Sequence, residues 1–378
     1  MHWEEPTVLE DPVTRNEELI AKEQRVLAML QREALDGLLL SKTGNFAWMT
    51  CGGGNYVAVN ADTGVAHALV TGDGKWIICD NIEARRVTEE EVGGLGFASE
   101  SWQWHEDGLT RALERVAPGA RLASDTGRSA TRNVDALVAP LRASLLPAEI
   151  ERYRRLGALT AEAMTEACRR VRPGMTEHQA AGILGGEMLA RGVYPVVLLI
   201  AADERAFDHR HPLPTDKEVR DHVMLVTCGC RWGLIASITR LVHFGRLPAE
   251  LRRKHDAVTM VDATLIANTR PGAHVGDIFD AALAAYAAAG FPDEWRLHHQ
   301  GGPTGYVGRE FRATSASDLT VVDHQAFAWN PSIAGTKSED TIIASADGPE
   351  VITLTPRLPT VDVEVGGAVI ARADIVAG

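Results

Sequence analysis

Pro147 and the triplet Arg172-Pro173-Gly174 bracket a stretch rich in Glu, Arg and Ala whose apolar positions recur at helical spacing, and no feature limits the possible folds of this chain more. Proline suits the first turn of a helix, where its missing N–H is not needed, and the Pro-Gly pair stops one. The spacing therefore predicts a long amphipathic helix from Pro147 to Val171. Thr176 then offers a side-chain acceptor to the first-turn amides of a second helix. Leu145-Leu146 reads as a linker, which sets a domain boundary near residue 146 and two domains, 1–146 and 147–378. At 378 residues the chain exceeds a usual single domain and can build two cores.

The first third alternates helix-like and strand-like runs. Asn16 to Glu33 carries apolar residues at helical spacing, and Gly37-Leu38-Leu39-Leu40 is a short buried-strand run. Residues 65–72 and 75–79 predict a hairpin around Gly72-Asp73-Gly74. Alternation of this kind implies a compact α/β unit, and the whole chain reads as α/β (α+β). There is no short-period repeat and no low-complexity segment.

The formal charge of −13, from 38 Lys and Arg against 51 Asp and Glu, argues against a nucleic-acid or anionic-membrane surface, because those need clustered cations. A small polar substrate is the expected partner. No apolar run approaches the roughly 20 residues of a membrane span, and Met1-His2-Trp3-Glu4-Glu5 lacks the basic-then-apolar pattern of a signal peptide. Cys51, Cys79, Cys168, Cys228 and Cys230 are an odd, scattered set, which fits a reducing compartment rather than a disulfide framework. A cytoplasmic protein is expected.

Trp329-Asn330-Pro331-Ser332-Ile333, followed by Gly335-Thr336-Lys337-Ser338-Glu339-Asp340-Thr341, resembles the C-terminal glutamate pair of the creatinase/aminopeptidase superfamily, the pita-bread fold. The motifs there read roughly Glu-Pro-Gly and Glu-Asp-Thr, and each glutamate bridges two divalent ions. Here the positions hold Asn330 and Glu339. Val171-Arg172-Pro173-Gly174-Met175-Thr176-Glu177 resembles the helix-turn that opens the superfamily's catalytic domain, and Thr269-Arg270-Pro271-Gly272-Ala273-His274 its pseudo-symmetric partner. The resemblance covers essentially the whole chain, more weakly in the N-terminal third. It implies a creatinase-type N-terminal α/β domain, a pita-bread catalytic domain, and a homodimer.

Metal-dependent members use two aspartates, one histidine and two glutamates, a hard-donor set that holds two ions and activates a bridging water. With Ile238-Thr239-Arg240 as the anchor, the aspartate positions fall on Ser237 and on Val226, or on Thr227 if a one-residue gap is allowed. The pattern His-x-x-Gly fits His298, and His299 is a second candidate because Gly302 follows it by three. Of Val226, Ser237, His298 or His299, Asn330 and Glu339, only the histidine and Glu339 are good ligands. Three lost carboxylates remove the charge that would offset a dication pair, so no metal and no cofactor is expected.

Creatinase is the metal-free branch of the superfamily. Gly305-Tyr306-Val307-Gly308-Arg309-Glu310 resembles its tyrosine-glycine-arginine-glutamate segment, which assigns to Arg309 the grip on a substrate carboxylate; the bland alternative pairs Arg309 with Glu310 or Asp340. Phe207-Asp208-His209-Arg210-His211-Pro212-Leu213-Pro214-Thr215-Asp216 resembles the loop bearing the proton-transferring histidine; the downstream motif selects His211 and the distance to Val226 selects His209. The chain departs from creatinase, which has glutamate at Asn330, histidine at Glu339 and glutamate at Thr239. Creatine is therefore a doubtful substrate.

These parts support proton-transfer catalysis without metal. His298, His211 or His209 would act as the base with Glu339 as its partner, while Arg309, Asn330, His299, Tyr306, Ser237 and Thr239 would surround the substrate. Hydrolysis of a C–N bond in a small, carboxylate-bearing, amino-acid-like compound is the favoured reading. A metal-dependent Xaa-Pro aminopeptidase and a non-catalytic binding protein are the alternatives. Period-two alternation puts Cys228 and Cys230 on the face of Val226, where a thiol nucleophile is conceivable, although small buried strand residues are the simpler account.

Overall fold

A computed structural model describes residues 12–378, which form two compact units. The first runs through Arg142 and takes in Leu146–Glu149 and Trp232–Leu234; the second comprises Ala143–Leu145, Ile150–Arg231 and Ile235–Gly378.

The first unit holds a six-stranded sheet of β1 (Gly37–Lys42), β2 (Thr63–Thr71), β3 (Gly74–Asp80), β4 (Ala98–Trp102), β5 (Leu122–Ser124) and β6 (Arg132–Asn133), in the order β4-β3-β2-β1-β5-β6. The hairpin expected around Gly72-Asp73-Gly74 is the antiparallel β2–β3 pair. The helix expected from Asn16 spans Pro12–Arg32. Leu39, Leu69 and Ile78 pack with Leu109, Ala112 and Leu113 of the Leu109–Val116 helix as one apolar cluster. The buried Lys22 ammonium lies 2.9 Å from the Glu149 carboxylate, so burial of this charge is compensated by pairing.

The helix Pro147–Arg170, which begins at the proline the sequence marks, lies in the second unit from Ile150 onward. Thr176 caps the next helix, Glu177–Leu189, in a reciprocal capping box with Gln179. Strands β7 (Tyr194–Ala202), β8 (His222–Arg231), β9 (Leu234–His243) and, near the C-terminus, Val376–Ala377 make one four-stranded sheet. A second sheet is built from β10 (Gly301–Pro303), β11 (Ala326–Trp329), β14 (Asp340–Ile343) and β15 (Glu350–Val351), in that order, with β12 (Ser332–Ile333) and β13 (Thr336–Lys337) as a small hairpin between β11 and β14. Helices Ala249–Asn268 and Val275–Ala288 pack on Phe327, Trp329, Ile333 and Ile342.

Two features hold the motif segments still. Gly301 adopts φ +104°, and a Cβ there would lie 2.1 Å from the Ala328 carbonyl oxygen, so only glycine lets the strand after His298-His299-Gln300 approach β11. Arg372 bridges the buried carboxylates of Asp340 and Asp262, the latter at 2.7 Å, while Arg240 reaches Asp340 at 2.8 Å. Ser338 donates to Asp262 at 2.5 Å. Both neighbours of Glu339 are thus tied into one buried ion network, and Asp262, which reads from sequence as an ordinary helix position, is one of its anchors. Among the described residues, no helix is long and apolar enough to cross a membrane.

Candidate active site

β9 and the β13–β14 segment meet side by side: Thr239 N donates to Glu339 O at 3.2 Å in an isolated bridge. This register aligns the side chains as well. Thr239 Oγ1 donates to Glu339 Oε2 at 2.5 Å, and Lys337 Nζ lies 2.6 Å from the same oxygen. Arg309 Nη2 reaches the other carboxylate oxygen at 3.4 Å, and its Nη1 donates to Ser237 Oγ at 3.3 Å. Glu339 is 2% exposed, so a lone charge there would be costly, and two cations and a hydroxyl surround it instead. Burial pushes its carboxyl up, but the Lys337 ammonium and the Arg309 guanidinium outweigh that and hold it below the usual range.

Three histidines form the second half of the site. His298 Nε2 and His211 Nε2 are 3.2 Å apart, and one ring nitrogen from each of His211, His298 and His299 falls within 4.8 Å of the others. Ser332 Oγ sits 3.3 Å from His298 Nδ1 and accepts from Arg210 Nη1 at 3.2 Å. With Arg210 as its donor, Ser332 has its own hydroxyl proton free for His298 Nδ1. His298 and His211 share one N–H···N contact, and which ring donates in it follows the tautomer that Ser332 selects at His298 Nδ1. Burial lowers the basicity of all three rings: His299 is pushed down to about 4 by burial and by Arg309 and Lys337, His298 lower still by burial and Lys337, and His211 down by burial and Lys337 against a raising influence of Glu339. All three are neutral at neutral pH.

Tyr286 positions this half. Its hydroxyl donates to Gln300 Oε1 at 2.8 Å and accepts from Ser332 N at 2.9 Å, tying the His298–Gln300 run to β12. Among the buried polar atoms of the described residues that have no hydrogen-bond partner within the protein are Asn330 Oδ1, Arg309 Nε and His299 Nδ1 of this site. Such orphans cost stability unless another polar group meets them.

Of the residues singled out from sequence, His211, His298 and His299 come together, as do Glu339, Arg309, Ser237 and Thr239. Arg309 pairs with Glu339; Asp340 is instead held by Arg240 and Arg372. His209 is exposed at the end of the short Glu204–Asp208 helix and does not enter the cluster, whereas His211 does. Tyr306 is buried on the loop after β10. Val226 packs with Leu199, Ala201, Met224 and Leu241 in an apolar cluster, and Thr227 donates to the Val197 carbonyl at 2.8 Å, so neither occupies a ligand's place. Cys228 shares the face of Val226 and lies 3.2 Å from Ser237 Oγ. Burial, with Glu339 nearby, pushes its thiol up, which argues against a thiolate nucleophile.

A two-metal centre of bridging carboxylates does not fit these residues. Val226 is core, Ser237 is engaged by Arg309, and both oxygens of Glu339 are taken by the protein's own donors. Lys337, Ser332 and Arg210 contact these residues and were not singled out from the sequence. For Lys337 the signal was present: two residues before Glu339 in extended chain, it falls on the same side.

A profile of metallopeptidase family M24 matches residues 151–346, more than half of the chain. An uncharacterized peptidase of Staphylococcus haemolyticus is 22% identical over 353 residues, covering 88% of this chain and 99% of that protein. An agropine synthesis cyclase of Rhizobium rhizogenes is 30% identical over 154 residues, covering 38% of this chain and 39% of that protein. Among solved structures, an Xaa-Pro dipeptidase from Bacillus anthracis superposes with TM-score 0.76 at 18% identity, covering 95% of this chain and 99% of the other. A prolidase from Pyrococcus horikoshii OT3 does so with TM-score 0.75 at 18% identity, covering 89% and 99%. These likenesses establish the pita-bread fold, and with the match over residues 151–346 the chain belongs to metallopeptidase family M24.

Proposed function

We propose that this member of the family is a metal-independent hydrolase that acts on a C–N bond of a small, carboxylate-bearing, amino-acid-like substrate by histidine proton transfer. The observation that carries the reading is the closed ion cluster at Glu339, where Lys337 at 2.6 Å, Thr239 at 2.5 Å and Arg309 at 3.4 Å take the lone pairs a bridging metal would need. His211, exposed and neutral, is the proton carrier, and His298 orients it through the 3.2 Å contact. Arg309, whose Nε is unpaired, anchors the substrate carboxylate. Asn330 Oδ1 accepts an N–H from the substrate, next to the bond that breaks. The agropine synthesis cyclase that shares part of this sequence is not named as a peptidase.

The test is activity of chelator-stripped protein on amides, amidines and guanidino compounds that carry a carboxylate, run beside Xaa-Pro dipeptides with and without added manganese. Turnover of a small carboxylate substrate in chelator supports the proposal. Turnover of Xaa-Pro dipeptides that appears only with manganese sinks it in favour of a metallopeptidase, the reading that the family and the prolidase-like fold would favour.

A further inference from the structure

The cluster of Glu339, Lys337, Thr239 and Arg309 is more than a satisfied ion pair. Two cations face one carboxylate in a buried site, so the pocket carries excess positive charge within a chain of net charge −13. Lys337 is 4% exposed, and its stem is held on the β13 strand, whose Thr336 hydroxyl in turn lies 2.8 Å from His255 Nδ1. Its ammonium is therefore not a mobile surface charge but a fixed one.

Beside it stand three neutral imidazoles whose nitrogens lie within 4.8 Å of one another. Taken alone they are good borderline ligands, already deprotonated and close enough to share one ion. The field of Lys337 opposes that. A fixed, buried ammonium repels a dication twice as strongly as it repels a single positive charge at the same distance. Glu339, the carboxylate of the motif, is already paired with Lys337 and Arg309.

We propose that Lys337 is the resident cation of this site: its ammonium takes the place on Glu339 that would otherwise be open to a divalent ion, and it bars a metal from the His211, His298 and His299 cluster. This inference rests on the metal-independent reading and goes beyond it, because it names the residue that makes the site metal-free. One side chain separates the present site from one that binds metal.

The experiment is calorimetric titration of chelator-stripped full-length protein with zinc chloride and manganese chloride, comparing wild type with Lys337→Met. Lys337→Gln keeps a donor for Glu339 if the methionine variant misfolds, and Lys337→Arg keeps the charge. Circular dichroism and the thermal midpoint check folding of each. The expected result is no stoichiometric metal on wild type or Lys337→Arg, and one zinc per chain on Lys337→Met or Lys337→Gln, about 100-fold tighter than on wild type. That gain should vanish when His298→Ala is added. A folded Lys337→Met and Lys337→Gln that bind zinc no better than wild type overturn the inference while leaving the metal-independent reading intact. Two metals per wild-type chain overturn both.

Discussion

His211 and His298 lie 87 positions apart in the chain, yet their Nε2 atoms face each other at 3.2 Å, one ring exposed and the other buried. The buried ring is anchored through Ser332 to Arg210, and Arg210 is held in turn by Glu294 at 2.6 Å. The exposed ring therefore has a fixed partner on one side and solvent on the other.

If His211 moves the proton, His211→Asn lowers kcat by about 10²–10⁴-fold, the usual range for loss of a general acid or base. His209→Asn leaves kcat unchanged, since that ring lies exposed outside the cluster. Steady-state kinetics on a small carboxylate substrate decides; equal losses in both variants would refute the assignment.

Arg309→Lys keeps a positive charge but loses the planar fork, whose Nη1 and Nη2 span Ser237 and Glu339. The expected outcome is a KM raised by about 10- to 100-fold, in line with the loss of one charge-assisted hydrogen bond worth about 1.5–3 kcal/mol. An unchanged KM would move the carboxylate anchor elsewhere.

Stability of the second unit should fall as pH drops below neutral. Burial pushes both His222 and His255 down to about 4 in the fold, while the unfolded chain titrates near the ordinary value of about 6.5. Between those values the unfolded state binds more protons, so stabilisation that is complete above about 6.5 is lost progressively as pH falls toward about 4, up to about 3 kcal/mol for each ring. Asp262, raised to about 6 by burial, works in the opposite sense: its penalty is greatest above about 6 and eases on acidification. The urea midpoint at pH 7 and pH 5 measures the sum, and no drop at pH 5 would contradict it.

Arg372→Met removes the cation shared by Asp262 and Asp340 and leaves two carboxylates buried with Arg240 as the remaining counter-charge. A loss of about 3–5 kcal/mol is expected in denaturant unfolding. Arg154→Ala breaks only exposed pairs, with Glu350 and with Glu151, and should cost less than about 1 kcal/mol. Similar costs for the two would deny the buried network its role.

Local signals were legible where the chemistry is local. Pro147, the Arg172-Pro173-Gly174 stop and the Thr176 cap each act within a turn or two, and the helices start and end there. The β2–β3 hairpin follows for the same reason. Composition and motif order were sufficient for the α/β class and the pita-bread resemblance, and the spacing from Ile238-Thr239-Arg240 marked Val226 as a poor ligand before its place in the apolar core was seen.

What the sequence by itself determined is which side chains exist at the motif positions: a valine, a serine and an asparagine where carboxylates would ligate, and one glutamate remaining. Only the tertiary structure decided what that glutamate does. The pairing of Thr239 with Glu339 depends on a bridge between segments 100 residues apart, and the meeting of Arg309 with Glu339, of His211 with His298 and of Arg372 with two aspartates depends on how sheets and helices pack. Long-range electrostatics has no sequence period. A buried charge must find its partner in space, and it is packing that brings the Lys337 ammonium within 2.6 Å of Glu339.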